Sequence, residues 1–90
     1  MSEATFEAIT VGATGAKTLV VDVEHTAAHW GSGSLNVLST PHMVALMEGA
    51  AVAAVDALLP EGYQTVGTRL DVRHVAATPM GQKVTARAEL

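Results

Sequence analysis

The sequence predicts an α+β domain in which a few strands gather around one long apolar helix. Three observations carry that expectation. Residues 40–59, TPHMVALMEGAAVAAVDALL, form a nearly uninterrupted apolar run with one carboxylate, Glu48, near its middle. Residues 18–23, TLVVDV, are rich in β-branched side chains, and two later segments, RLDVRHV and KVTARAEL, alternate polar with apolar positions. Alternation at period two is the mark of a strand with one face covered.

Taken in order, residues 1–10 read as a loosely held lead-in, and 11–17 (VGATGAK) have the glycine content of a turn. The glycines and Lys17–Thr18 resemble a phosphate loop, but Ala16 separates Gly15 from Lys17 where that motif requires Gly-Lys-Ser/Thr, so the reading is discarded. Thr18–Val23 is the first expected strand. Residues 25–39 (HTAAHWGSGSLNVLS) lack periodicity and hold the one Trp and a hinge-like GSGS, the composition of a lid or binding loop. Thr40 is placed as the N-cap of the long helix, with Pro41 at its first position and Pro60-Glu61-Gly62 as its stop. Small residues Gly49, Ala50, Ala53 and Ala54 suit close packing on a sheet. Thr65–Ala77 is the second expected strand, Thr78–Gly81 a turn, and Lys83–Leu90 the third strand. Three strands around one helix leave an open sheet edge, so further strands, from this chain or another, are expected.

Ninety residues make one small domain, 49% hydrophobic and only 16% charged, with a mean hydropathy of +0.31. That is more apolar surface than a lone small domain readily hides, and a subunit interface is the expected remedy. A formal net charge of −4 argues against nucleic acid, which needs clustered Lys and Arg. Four of the five basic residues, Arg69, Arg73, Lys83 and Arg87, fall late in the chain; they read as the solvent face of two strands in preference to an anion site. With no cysteine there is neither disulfide framework nor thiolate. The polar start MSEATFEA is unlike a secretory signal, and the 41–59 helix, interrupted by Glu48 and Asp56, is short for a membrane span. A cytoplasmic, membrane-free protein is expected.

The candidate site is Thr40, Glu48 and His74. A helix as apolar as 40–59 is expected to be buried on most sides, where an ionised Glu is costly unless paired. The alternation of RLDVRHV puts His74 on the inward face with Leu70 and Val72. Carboxylate and imidazole together make an acid–base unit, and a nearby hydroxyl serves as nucleophile or as donor to a polarised carbonyl. Each has a plain alternative: Thr40 as a cap, His74 as a satisfied core side chain. If Thr40 starts the helix, Glu48 stands two turns on, ~12 Å along the axis, so a direct contact needs a later helix start or a bridging substrate. His25 and His29, four apart, find no convincing third ligand, and no metal is expected. Trp30 either covers a pocket or anchors its loop.

The segments TPHMVALMEGA and VGTRLDVRHVAATPMGQKVTARAEL resemble hot-dog-fold acyl-CoA thioesterases, most closely the fluoroacetyl-CoA thioesterase-like group, over roughly residues 11–90. The resemblance implies an antiparallel sheet wrapped around a long central helix, with two subunits joined edge to edge. It implies hydrolysis of an acyl-CoA thioester without a cofactor, the family's functional Thr, Glu and His falling on Thr40, Glu48 and His74. The family's glycine near the thioester carbonyl falls on Gly67, and Trp30 is the matching candidate on the substrate side. Fluoroacetate-specific members carry aromatic lid residues before the helix; Trp30, Leu35 and Leu38 stand there with no Phe, so that specificity is not carried over. The family also continues for further strands, so residues 1–90 are expected to form a single domain incomplete at its C-terminal side. A hot-dog hydratase or dehydratase and a non-catalytic acyl-CoA-binding dimer are the competing expectations.

Overall fold

Ser39, not Thr40, caps the long helix. In the computed structural model, which describes residues 5–90, helix α2 spans Thr40–Val55, and the Ser39 side chain accepts the His42 amide N–H at 3.2 Å. Pro41 has no N–H to offer, so the capping bond goes to the residue after it. The expected cap at Thr40 is corrected by one residue, and this frees the Thr40 hydroxyl. A short 3-10 turn, Asp56–Leu58, finishes the helix.

Two strands lie against α2. Strand β1, Thr14–Val20, pairs antiparallel with β2, Lys83–Glu89, in the register Thr14↔Glu89 through Val20↔Lys83. The third expected strand is thus present almost as placed, with Val84, Ala86 and Ala88 half-buried and Lys83, Thr85 and Arg87 exposed. The first begins four residues earlier than expected. Gly15, read as part of a turn, sits inside the strand because helix and strand backbones touch there. A Cβ on Gly15 would come within 2.5 Å of the Ala50 carbonyl oxygen and 2.8 Å of the Ala53 carbonyl carbon. A glycine within a strand commonly marks such an approach. Val21 leaves the strand but stays buried, its N–H donating to Gln82 O at 2.9 Å.

The segment between them is more ordered than its composition suggests. Asp22 caps a 3-10 turn at Val23–His25, and Thr26 caps a single helical turn, α1 (Ala27–Trp30). Gly31, at φ 66°, closes that turn in the left-handed region that suits glycine. The lead-in is anchored as well: the Phe6 ring meets Tyr63 edge to face at 5.3 Å. Its first four residues lie outside the described part.

Residues 63–77 correct the expectation of a second strand. They join no ladder among the described residues. A strand exists only with a partner for its N–H and C=O groups, and none is provided here. The segment is instead held along α2 at separate points. At one end, Asp56 accepts from the Thr65 amide at 3.3 Å and from its hydroxyl at 2.5 Å. At the other, the Leu38 N–H donates to Thr78 O at 2.8 Å.

The core is correspondingly small: Val21, Ala27, Leu38, Leu46, Ala50 and Ala54, with Thr26 and Ser39 as buried polar groups. Leu46, Ala50 and Ala54 form a stripe four residues apart, so α2 is covered on one face, not on most sides. The radius of gyration is 15.8 Å, against about 12 Å for a compact domain of this length. Val66 and Val75 remain 79% and 86% exposed. By length and composition Thr40–Leu58 is apolar enough to cross a membrane; its small residues instead meet the β1 backbone.

Candidate active site

Thr40 and His74, 34 residues apart, are brought into contact by the way 63–77 lies on α2. Thr40 Oγ1 is 2.8 Å from His74 Nδ1. Thr40 is exposed and His74 half-buried. With Ser39 taking the capping bond, the Thr40 hydroxyl is free for the imidazole. The pair opens on a cleft of about 430 Å³, walled by Ser32, Ser34, Leu35 and Val37 on one side and Val75 and Ala77 on the other. No Phe, Tyr or Trp lines it.

Glu48 does not join them. It stands two turns further along α2, is exposed, and lines a separate cavity of about 400 Å³ with Val52, Val55, Thr65 and Gly67. No hydrogen bond links Glu48 to His74 or to Thr40 among the described residues. The expectations of a buried carboxylate and of a Glu48–His74 acid–base pair are both corrected. The causes differ: only one face of α2 is covered, which leaves Glu48 exposed, and the helical rise carries position 48 two turns beyond Thr40, where His74 is held. Glu48 does meet Gly67, the position on which the resemblance puts the family's glycine near the thioester carbonyl. A Cβ on Gly67 would stand 2.9 Å from Glu48 Oε2, so the carboxylate rests against bare backbone and would have to shift to make room for a side chain there.

Trp30 lines neither cavity. Its indole N–H donates to the Glu24 carbonyl at 2.6 Å, and its ring stacks edge-on with His42 at 5.1 Å. It anchors its own loop, the plainer of its two readings. His25 and His29 fall on different elements, a 3-10 turn and α1, so their spacing puts them on no shared helical face. Among the described residues no three potential ligands come close enough to hold a metal ion. Arg69, Arg73, Lys83 and Arg87 are all exposed, as a solvent face should be.

Three contributors were not singled out from the sequence. Ser39 has an ordinary capping composition, and only its neighbour's proline, which moves the capping bond to position 42, signals its role. Ser32 and Ser34 lie in the GSGS stretch, whose glycines at 31 and 33 (φ 66° and 138°) turn the loop over the cleft.

An antiparallel sheet laid on one long helix, with a polar pair at the helix start facing a cleft, defines a hot-dog-type domain. The profile of the fluoroacetyl-CoA-specific thioesterase (FlK) family matches residues 21–90, and the chain belongs to that family. A fluoroacetyl-CoA thioesterase from Streptantibioticus cattleyicolor is 48% identical over 54 residues, which are 60% of this chain and 39% of the relative. Among solved structures, a mutant of FlK in complex with fluoroacetate and CoA is 36% identical with a TM-score of 0.81, covering 90% of this chain and 70% of that one. A threonine-to-serine mutant of FlK in complex with acetyl-CoA gives a TM-score of 0.80 at 36% identity, with 90% and 65% covered. The chain therefore spans well under half of the curated relative and about two thirds of the solved chains.

Proposed function

We propose that this chain provides the thioester-cleaving part of an acyl-CoA thioesterase, hydrolysing an acyl-CoA to free acid and CoA. The observation that carries the reading is the Thr40 Oγ1–His74 Nδ1 contact of 2.8 Å at the mouth of a cleft, in a chain of this family. Hydrolysis needs a base for water, a donor for the carbonyl oxygen, and a route for the leaving thiolate. The imidazole at His74 accepts the proton of the attacking water and returns it to the sulfur as the C–S bond breaks. The Thr40 hydroxyl orients that ring or donates to the carbonyl oxygen. Glu48, held against Gly67, acts from the neighbouring cavity, ~12 Å along the helix axis from Thr40, so the substrate bridges the two. The acyl-CoA is the sole partner molecule, with no cofactor and no metal.

Membership of a thioesterase family weighs against a hydratase. The lack of Phe, Tyr or Trp on the cleft wall supports a preference other than fluoroacetyl. The elongated shape and the unpaired 63–77 segment with its open Val66 and Val75 support a homodimer, and the absence of cysteine suits the cytoplasm.

The test is CoA release from a panel of short and medium acyl-CoAs, followed with a thiol reagent on folded protein whose mass is set by sedimentation. Release above the buffer rate, abolished in His74→Ala, is expected. Hydration of an enoyl-CoA without CoA release would move the assignment to the hydratase, and tight acyl-CoA binding without turnover would leave a binder.

A further inference from the structure

Behind Thr40 lies a cluster that the proposed reaction does not use. The Ser39 side chain is fully buried, and its N–H donates to the His25 carbonyl at 2.8 Å. Ser39 Oγ accepts the His42 amide N–H at 3.2 Å and lies 3.1 Å from His42 Nδ1. Among the described residues His42 Nδ1 is the one acceptor within reach of that hydroxyl, so in the tautomer with a bare Nδ1 the Ser39 O–H donates to it. His25 is held the same way: its Nδ1 accepts the Asp22 amide N–H at 2.9 Å. The two rings meet edge to face at 5.0 Å, and Trp30 covers His42 at 5.1 Å.

Both imidazoles are thus built into the fold as neutral acceptors. A proton on His25 Nδ1 would face the Asp22 N–H and break that bond. A proton on His42 Nδ1 would turn the ring into a donor and leave the buried Ser39 O–H without an acceptor, at a cost of about 1–3 kcal/mol. A charged ring at the third position of α2 would also oppose the positive end of the helix dipole.

We infer that Ser39 and His42, braced by His25, are positioning residues that hold the N-terminal turn of α2 so that Thr40 meets His74, and that acid releases them. The inference rests on the thioesterase reading for its effect on rate, but the clamp itself is a property of the fold.

The titratable groups facing His42 are His25 and Glu24 on the 3-10 turn and His29 on α1. Burial first, then His25, hold its pKa below the usual histidine value of 6.5; Glu24 works against them and His29 with them. Glu24 Oε1 also lies 3.8 Å from His25 Nε2. A histidine whose folded value is depressed supports the fold fully above the unfolded value, and that support is lost as pH falls from there through the folded value. The clamp is closed at neutral pH and opens on the acid side.

The experiment follows the Thr40 amide and the His74 ring nitrogens by NMR through a pH titration of the whole chain, beside His42→Asn and His42→Leu. Asn offers a carbonyl oxygen in place of Nδ1 and does not titrate; Leu offers nothing. In the wild type the Thr40 amide should shift with the His42 midpoint. In H42N that step should vanish with the Thr40–His74 bond kept, and in H42L the bond should weaken at every pH. In the rate assay, H42N should keep kcat within about threefold and H42L should lose about tenfold or more in kcat with KM little changed. A Thr40 amide blind to His42 titration, or Asn and Leu variants that behave alike, would overturn the clamp. Wild-type protein without thioesterase activity would remove the rate consequence alone, since the NMR arm still decides the clamp.

Discussion

Replacing Thr40 with Val separates the two roles open to this residue. The side chains match in shape, and their helix propensities are close, so the change removes one hydroxyl and little else. The bond lost is the 2.8 Å contact to His74 Nδ1. A net intramolecular hydrogen bond contributes about 0.5–1.5 kcal/mol, and the exposure of Thr40 puts this one at the low end. Ser39→Ala is the contrasting change, because Ser39 is the buried cap and losing a cap costs about 1 kcal/mol or more. For a domain of this size 1 kcal/mol moves Tm by roughly 4–8 °C. Ser39→Ala should show at least that shift, and Thr40→Val clearly less. Activity should rank the other way for Thr40: loss of a group that orients the base or the carbonyl lowers kcat/KM about 100-fold, equivalent to ~2.7 kcal/mol. Thr40→Ser, which keeps the hydroxyl, should restore most of it. The assay is acyl-CoA turnover beside thermal unfolding. If Thr40→Val turns over like the wild type and unfolds as early as Ser39→Ala, Thr40 is a structural residue and the reasoning is wrong.

Three further changes probe the rest of the frame. Glu48→Gln should leave stability within about 0.5 kcal/mol, because the carboxylate is exposed, yet lower kcat at least ~10-fold; undiminished turnover would make Glu48 an ordinary surface charge. Gly67→Ala sets a methyl group 2.9 Å from Glu48 Oε2, and displacement of the carboxylate by about 1 Å should lower kcat/KM roughly 100-fold with little change in unfolding; a variant with normal kinetics would show that the carboxylate needs no such rest. Gly15→Ala forces β1 off α2, since its Cβ meets the Ala50 and Ala53 backbone, and the overpacking should cost about 1–3 kcal/mol or more; a melting curve matching the wild type would mean that strand and helix are not seated this closely.

Much of the framework was legible because its causes are local. The run at 40–59 is a helix by composition, the Pro-Glu-Gly after it is a stop, and KVTARAEL alternates because one face of β2 lies on α2. The family resemblance carried by TPHMVALMEGA and by the 66–90 segment pointed to the same helix and sheet. What misled was inference about surroundings. Gly15 looked like a turn residue because a strand glycine and a turn glycine are indistinguishable until the helix that presses on it is known. Ser39 and Thr40 are both residue types that cap helices, and the choice between such neighbours depends on where the chain turns.

The sequence by itself determined the central helix, the β2 alternation, and the pool of polar side chains from which a site is drawn. Only the tertiary structure decided which of them meet. Thr40 joins His74 because residues 63–77, without a strand partner, are laid back along α2. Glu48 falls beside Gly67 instead, because eight residues of helical rise carry it past the imidazole. Its exposure follows from the single covered face of the helix, set by which elements pack there and not by how apolar the helix is.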